Sequence, residues 1–372
     1  MKLLQLSLIL LIFTPLLFGQ NTECIQAYNV AVEKVKLKDY EGAIVEYGKA
    51  IKADPSYDKA YYNRGTASLR LKNYDAAAAD FAKTVSITPD YAKAHYYLGY
   101  SKMKKKNYSE ALVDFSRAIK YDPEIYDAYY YRGYIQMQDN NLEKAIEDFG
   151  EAAKLDPEKS KTHYNAGVCH YKLKQYADAA NSFTLAYDLN ADYPKALYYR
   201  AMAFSKLEKY DKAISDFNAY IEADPTVEGY YNRALNYTKL EDPDSAMKDY
   251  QAALQIDPMH VASLKNLANI GIKSKDYPAA ANAFTALCKA EPKVESHYLN
   301  AGICYFNASE YGESIKSLDA LVAMNPKNAE ALFNRSNAYA KVGQTEKACA
   351  DVRASAELGF DKAFQYVASY CN

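Results

Sequence analysis

The stretch YDAYYYRGYIQMQDNNLEKAIEDFGEAAKLDP, residues 126–157, contains the unit from which most of the chain is built. Its first half places small and aromatic residues at helical spacing, and its second half places Ala145 and Phe149 on one helical stripe. Asn140 interrupts the pattern with a residue that favours turns, and Pro157 disfavours helical geometry in the residue before it. The stretch is therefore predicted to form two short helices joined by a turn.

The same unit recurs along the chain with a period of 34 residues. When the unit is numbered from its first residue, most copies have a small residue at position 8, alanine at position 20, an aromatic residue at position 24 and proline at position 32. A pair of helices this small cannot bury its apolar faces alone, so the copies are expected to stack. The prolines that set the period are Pro55, Pro89, Pro123, Pro157, Pro225, Pro258, Pro292 and Pro326.

This spacing of small, alanine, aromatic and proline residues resembles the tetratricopeptide repeat family from about Cys24 to the end of the chain. The resemblance implies an all-α fold, a right-handed α-solenoid of about ten helix-turn-helix repeats. Phe364 and Val367, at helical spacing, predict a capping helix at 361–370. We expect one solenoid domain over 20–372, because each repeat packs only on its neighbours. The repeats are predicted to start near residues 24, 58, 92, 126, 160, 194, 227, 261, 295 and 329.

Residues 1–19, MKLLQLSLILLIFTPLLFG, have the pattern of a secretory signal peptide, with one basic residue, an apolar stretch and a small residue at the end. The apolar stretch is interrupted by Ser7 and Pro15 and is shorter than the roughly 20 residues of a membrane-spanning helix. A retained anchor is the alternative. We expect an exported chain, periplasmic, secreted or peripherally associated with the cell envelope, with no transmembrane segment after signal cleavage.

The formal net charge of -2 gives no indication of a nucleic-acid partner, and none is expected. The one basic run, Lys102 to Lys106, falls at the end of a predicted helix, where cations complement the helix dipole. Its role is therefore predicted to be structural. The sequence leaves the oligomeric state open.

Six cysteines in a chain predicted to be exported raise the question of disulfides. Cys349 and Cys371 lie at similar distances from a predicted turn at Gly359, so two antiparallel helices would bring them level. A disulfide between them is predicted, with free thiols as the alternative. No CxxC spacing occurs, and neither a metal site nor a cofactor is expected at the remaining cysteines, Cys24, Cys169, Cys288 and Cys304.

A catalytic function is not predicted. Cys169 and His170 are adjacent, but neighbouring residues on a helix point in different directions and do not face each other. His163 and His170 share a face but are about 10.5 Å apart along a helix, too far to bind one metal ion. Both histidines fall at packing positions of the repeat, and no stretch outside the repeats is long enough for a catalytic domain.

Positions 7 and 23 change together between repeats. Each of the five repeats with arginine at position 7 has aspartate at position 23, and the two positions are equally far from the predicted turn. Charge-assisted hydrogen bonds between guanidinium and carboxylate are strong, so five structural ion pairs within repeats are predicted. They are Arg64 with Asp80, Arg132 with Asp148, Arg200 with Asp216, Arg233 with Asp249, and Arg335 with Asp351.

The second face of the first helices, at positions 2, 5, 6, 9, 12 and 13, is the face that the resemblance assigns to a concave groove. Position 5 is tyrosine in repeats one to seven, and position 6 is tyrosine or asparagine in most repeats. Flat rings with hydroxyl tips give large contact area at little entropic cost. The alternative is that these rings pack the repeats. The predicted partner-binding residues are Tyr62, Tyr96, Tyr97, Tyr100, Tyr130, Tyr131, Tyr134, Tyr164, Asn165, Tyr198, Tyr199 and Tyr231.

Some members of the family clamp a partner's C-terminal carboxylate with lysine and asparagine side chains. Lys265, Asn269 and Asn300 match the first three positions of that clamp. Glu330 stands where the clamp needs a cation, so a working clamp is not expected.

The leading interpretation is a non-catalytic scaffold or adaptor for protein–protein interaction that holds a peptide or a partner protein in the tyrosine-lined groove. The alternative is an envelope glycan-binding protein that uses the same aromatic groove, because aromatic walls also stack on sugars. The sequence names neither the partner nor the pathway.

Overall fold

A computed structural model describes residues 7–371, and it describes side chains from residue 22 onward. Over these residues the chain forms 21 helices and no strand. It divides into two compact units, Met1–Ala191 and Asp192–Asn372, which are described one at a time.

The first unit contains ten helices. They are α1 (Ser7–Lys36), α2 (Tyr40–Ala53), α3 (Asp58–Arg70), α4 (Tyr74–Ile87), α5 (Ala92–Lys104), α6 (Tyr108–Tyr121), α7 (Tyr126–Gln138), α8 (Leu142–Leu155), α9 (Ser160–Lys172) and α10 (Tyr176–Leu189).

The second unit contains eleven helices in the part of the chain that is described. They are α11 (Pro194–Lys206), α12 (Tyr210–Ala223), α13 (Val227–Lys239), α14 (Pro243–Ile256), α15 (Val261–Ser274), α16 (Tyr277–Ala290), α17 (Glu295–Asn307), α18 (Tyr311–Met324), α19 (Ala329–Lys341), α20 (Thr345–Glu357) and α21 (Asp361–Cys371).

Within each unit, every helix packs against the helix before it and the helix after it. From α3 onward, the first helix of each pair begins at the residue where the sequence places the start of a repeat. The predicted all-α solenoid of helix pairs is thus confirmed. Of the predicted signal peptide, residues 1–6 lie outside the described residues, as do the side chains of 7–19, and the backbone from Ser7 onward belongs to α1.

The core of each helix pair lies between positions 8, 20 and 24. Position 20 is fully buried alanine in nine of the ten repeats, and the position-24 side chains, such as Phe149 and Phe183, are buried as well. The ring at position 24 lies directly against position 8 of its own repeat. A Cβ at Gly167 would come within 2.8 Å of the Phe183 ring, so only a residue without a side chain allows this close approach.

The two helices of each pair are joined by a tight turn with a left-handed residue at position 15. Nine of these residues are not glycine, among them Asn140 at φ 60° and Lys106 at φ 63°. The amide of Asn141 donates to the carbonyl oxygen of Gln136 at 2.8 Å, which satisfies a carbonyl at the end of α7. The turn is therefore set by helix-end hydrogen bonds and not by glycine alone.

The last helix, α21, covers the end of the second unit. Its Val367 and Tyr370 pack on a cluster that includes the buried Phe333 and Val352. A disulfide joins Cys349 of α20 to Cys371 of α21, with a Cα–Cα distance of 4.9 Å. The other four cysteines are free thiols.

Candidate functional site

The first unit contains an open pocket of about 730 Å³, which we call the tyrosine pocket. Four tyrosines of α7 form its wall, the end of α5 borders it, and the loop into α9 and the end of α10 complete it. Its lining residues are Met103, Lys104, Tyr126, Asp127, Tyr130, Tyr131, Tyr134, Glu158, Lys159, Ser160, Lys161, Leu189 and Asn190.

Helix α7 presents positions 1, 2, 5, 6 and 9 of repeat four to this pocket. The opposite face of α7 is buried, with Gly133 and Ile135 in contact with the core. The Tyr130 ring lies 5.9 Å from the Phe149 ring and also 5.9 Å from the nearly parallel Tyr126 ring. The wall is thus held in place by the same packing that forms the repeat.

The position-5 tyrosines share one packing arrangement. In each of repeats one to seven, the ring lies 5.6 to 6.1 Å from the position-24 ring of its own repeat. Tyr62 is also stacked on Tyr91 at 4.9 Å. The bodies of these rings therefore belong largely to the repeat core, which is the alternative that the sequence left open for single tyrosines.

Position 6 connects several neighbouring repeats in one of two ways. In repeats two, five and seven it is an asparagine whose amide donates to the tyrosine hydroxyl of the preceding repeat, as from Asn165 to Tyr130 at 3.2 Å and from Asn63 to Tyr28 at 2.6 Å. In repeats three and four it is a tyrosine whose ring stacks on the preceding position-24 ring, as Tyr131 does on Phe115 at 6.1 Å. Position 6 thus joins the repeats and fixes the tyrosine pocket's shape.

Tyrosine hydroxyls of this region have raised pKa values. Burial raises the pKa of Tyr131 to about 12, and it raises the pKa of Tyr96 further. Both phenols are therefore protonated at neutral pH and able to donate hydrogen bonds. Asp127 is exposed to solvent at the pocket wall, yet desolvation by its surroundings raises its pKa above the ordinary value.

The five arginine–aspartate pairs lie in contact in the structure. In each pair, Nε and Nη2 of the arginine donate to the two carboxylate oxygens at 2.6 to 2.9 Å. Arg132 also donates to Ser116 of the preceding repeat at 3.1 Å and lies over the ring of Tyr129. The pairs therefore connect the two helices of a repeat, and Arg132 connects neighbouring repeats as well.

The basic run at the end of α5 is paired with carboxylates. Lys102 lies 2.8 Å from Asp114 and 2.9 Å from Glu110, and Lys105 pairs with Asp75. Asp114 is the position-23 aspartate of a repeat without arginine at position 7, so Lys102 takes the place of that arginine.

Profiles of known families match the chain in several segments. The description "Tetratricopeptide repeat" matches 96–160, 137–194, 164–228, 58–91, 227–260 and 318–350, and "TPR repeat" matches 33–72. Together these segments cover more than half of the chain. The chain belongs to the tetratricopeptide repeat family.

Solved structures of other tetratricopeptide repeat proteins share this fold. The C-terminal part of a repeat protein from Cytophaga hutchinsonii is 23% identical, with a TM-score of 0.55, and the match covers 64% of this chain and 99% of that one. YrrB, described as having an unusual peptide-binding site, is 24% identical, with a TM-score of 0.48 and coverage of 51% and 98%. No curated protein matches the chain.

Tetratricopeptide repeats support protein–protein interaction in general, and the family is typically a non-catalytic scaffold. Burial raises the pKa of Cys169 to about 11, which disfavours the thiolate that a nucleophile requires. The neighbouring His170 is hydrogen-bonded to Gln175 at 2.7 Å, and His163 to the carbonyl oxygen of Pro157 at 2.9 Å. Both histidines are thus hydrogen-bonded to residues of their own repeat or of the loop before it.

Lys265, the first residue of the clamp pattern, forms an ion pair with Glu291 at 2.9 Å. None of the helices in the described part of the chain is long and apolar enough to cross a membrane.

The tyrosine pocket brings together only some of the predicted partner-binding residues. Tyr130, Tyr131 and Tyr134 line it, and Tyr100 contacts Tyr131 at 5.3 Å. Tyr62, Tyr96, Tyr97, Tyr164 and Asn165 lie in the first unit outside the pocket lining, and Tyr198, Tyr199 and Tyr231 lie in the second unit.

The other ten lining residues were not predicted from the sequence, and Tyr126, Asp127 and Lys104 are among them. A signal for Asp127 was present, because position 2 is lysine in the repeats on both sides, at Lys93 and Lys161.

Proposed function

We propose that this tetratricopeptide repeat protein is an exported, non-catalytic scaffold that binds an extended segment of a partner protein in the tyrosine pocket. The observation that supports this most is the pocket itself, which combines a volume of about 730 Å³ with a wall of four tyrosines. Volumes of about 300 to 1,000 Å³ are typical of ligand sites. Hydroxyl tips in such a wall can hydrogen-bond the backbone of an extended segment.

The packing of the rings favours a peptide over a glycan. A sugar stacks on the flat face of an aromatic ring, but the Tyr130 and Tyr131 rings lie close to several other rings within the wall. This packing covers part of each ring face, so we favour a ligand that contacts ring edges over a sugar that needs a free face. Glycan binding in the same pocket remains the alternative outcome of the test below.

The test uses two tyrosines with equal exposure. Tyr134 lines the pocket and Tyr108 of α6 does not, and both side chains are 37% exposed. Benzoylphenylalanine, a photo-crosslinking residue, is placed at either position in the source organism, and crosslinked partners are identified by mass spectrometry. We expect a discrete protein partner at position 134 and none at position 108, with loss of that partner from a Tyr134→Ala chain by affinity capture.

The glycan alternative would be favoured if the chain is retained on envelope polysaccharide, if Tyr134→Ala abolishes that retention, and if no protein is crosslinked. Equal crosslinking at both positions would contradict the pocket proposal.

The proposed export rests on the signal-like pattern of residues 1–19. Fractionation and N-terminal sequencing of the mature chain test it, with a new N-terminus near residue 20 as the expected result.

A further inference from the structure

One position of the first helices is basic along most of the chain. Position 13, in the last turn of the first helix, is lysine or arginine in eight of the ten repeats and acidic in none. All eight side chains, which we call the position-13 cations, are exposed to solvent. In the first unit they are Lys36, Arg70, Lys104 and Lys172. In the second unit they are Lys206, Lys239, Lys273 and Lys341.

The helix dipole explains only part of this pattern. A cation in the last turn complements the carbonyl end of a helix, and the second helices of the repeats have the same dipole. Yet only four of the ten second helices in the described chain have a basic residue in their last turn. The position-13 cations therefore need a further reason, which belongs to the surface of the first helices.

That surface is more positive than the chain as a whole. Positions 2, 5, 6, 9, 12 and 13 of the ten repeats contain thirteen basic and three acidic residues, whereas the formal net charge of the chain is -2. Among side chains of residues 22–371, only Lys36 of the position-13 cations has a carboxylate partner, Glu33. The remaining seven are thus available to an anionic ligand, and a surface of one sign attracts ligands of the other.

Two of the position-13 cations border the same pocket in the second unit. This pocket, which we call the lysine pocket, has a volume of about 210 Å³ and no acidic residue in its lining. Sites for whole ligands are larger, about 300 to 1,000 Å³, so this volume suits a single side chain. Its charged and apolar lining consists of Lys206 and Met202 of α11 and Lys239 and Leu235 of α13, with Tyr210 of α12 beside them.

We propose that the lysine pocket binds an aspartate or glutamate side chain of an acidic segment of a partner protein, between the ammonium groups of Lys206 and Lys239. Charge-assisted hydrogen bonds from ammonium to carboxylate are strong. The apolar Met202 and Leu235 favour a polypeptide over a nucleic acid, because a phosphate backbone has no apolar groups to place there. The inference rests on the proposed scaffold function and specifies the charge of the partner segment.

The experiment selects dodecapeptides from a random phage-displayed library on the immobilised full-length chain. The best peptide is resynthesised with each aspartate or glutamate replaced by its amide. We expect enrichment of acidic residues and weaker binding of the amide peptides. Lys206→Gln combined with Lys239→Gln should weaken the acidic peptide about fivefold, and the arginine versions of both substitutions should bind like the wild type.

The matched control removes the same charge from the second helices. Lys248 of α14 and Lys289 of α16 are exposed lysines outside the lysine pocket. Lys248→Gln combined with Lys289→Gln should change binding less than about twofold, because exposed charges at a distance are screened by salt. Both double variants change only exposed side chains, so their thermal midpoints should match that of the wild type.

The outcomes separate this inference from the proposed function. Peptides without enriched acidic residues, or equal weakening by the two glutamine double variants, would overturn the inference. If Tyr134→Ala still weakens such peptides, the scaffold proposal stands. Acidic peptides that depend on Lys206 and Lys239 but not on Tyr134 would support the inference and count against the tyrosine pocket. Absence of any binding peptide would count against both proposals.

A nucleic acid is the competing ligand for a row of cations. A single-stranded DNA of twelve nucleotides is therefore added as a competitor of the selected peptide. We expect it to displace the peptide only weakly. Tighter binding of the DNA than of any acidic peptide, lost when Lys206 and Lys239 are replaced by glutamine, would overturn the inference.

Discussion

Replacing Arg132 by leucine removes the guanidinium that neutralises Asp148, a carboxylate whose side chain is only 6% exposed. Breaking a buried pair by removing one partner costs about 3 to 5 kcal/mol, because the remaining charge is uncompensated. Arg132 itself is 21% exposed, so water reaches part of the site and we expect the lower end, about 3 kcal/mol. Replacing both residues by leucine should cost within about 1 kcal/mol of zero, since no unpaired charge remains.

The matched control is an ion pair of the same length on the surface. Lys154 and Glu151 are also 2.6 Å apart, but their side chains are 71% and 49% exposed, so Lys154→Leu should cost less than about 0.5 kcal/mol. Repeat arrays do not always unfold in one step, so urea unfolding by circular dichroism is combined with hydrogen exchange of the amides in α7 and α8.

Two results would refute the reasoning. The first is an Arg132→Leu cost no larger than that of Lys154→Leu. The second is a double variant as unstable as the sum of the two single variants, because a shared charge pair must give a coupling energy of about 2 kcal/mol or more. Either result would mean that the pair orders the repeat without the electrostatic coupling inferred from its burial.

Three further predictions concern other parts of the chain. Gly302→Ala should lower the free energy of unfolding in urea by about 1 to 2 kcal/mol, because the new Cβ would lie 2.5 Å from the buried Leu318. Gly150→Ala, which has open space around it, should instead stabilise α8 by about 0.5 to 1 kcal/mol. Equal effects at the two glycines would contradict the packing. Cys349→Ser removes the disulfide and should weaken the docking of α21 by about 3 kcal/mol. The expected result is faster tryptic cleavage after Lys362, and cleavage at the wild-type rate would contradict this prediction. Asp127→Asn should be at least as stable as the wild type at neutral pH. The raised pKa of Asp127 means that folding penalises its charged form, so this advantage should shrink as the pH falls through that pKa, and a thermal midpoint below that of the wild type would contradict the desolvation.

The repeat architecture was predictable because the period of the sequence is also the period of the packing. A small residue at position 8 is required wherever a ring lies directly against it, as Phe183 lies against Gly167. The contacts between positions 7 and 23 could be inferred from the joint change of arginine and aspartate. The contact between Lys102 and Asp114 could not be inferred in this way. Lys102 lies one helical turn after position 7, and no other repeat has a matching pair.

The binding surface was less predictable than the fold. Helical spacing indicates which face a tyrosine occupies, but not whether its ring rests on another ring. The Tyr130 ring contacts the rings of Phe149 and Tyr126, so most of its apolar area stabilises the repeat. The contact with Phe149, 19 residues away, is visible only in the three-dimensional structure. The comparison of repeats distinguishes Asp127 from the lysines at position 2 of the neighbouring repeats, but it does not show that Asp127 lines a pocket with these rings.

The carboxylates of the first unit differ in their burial and in whether a cation lies beside them. Asp148 and Asp114 are more deeply buried than Asp127, yet each has a cation within 2.8 Å. A buried carboxylate is costly when it is unpaired, and the fold places a cation beside each of these two. Asp127 lines the tyrosine pocket but is exposed to solvent, so water solvates its carboxylate and the fold needs no cation beside it.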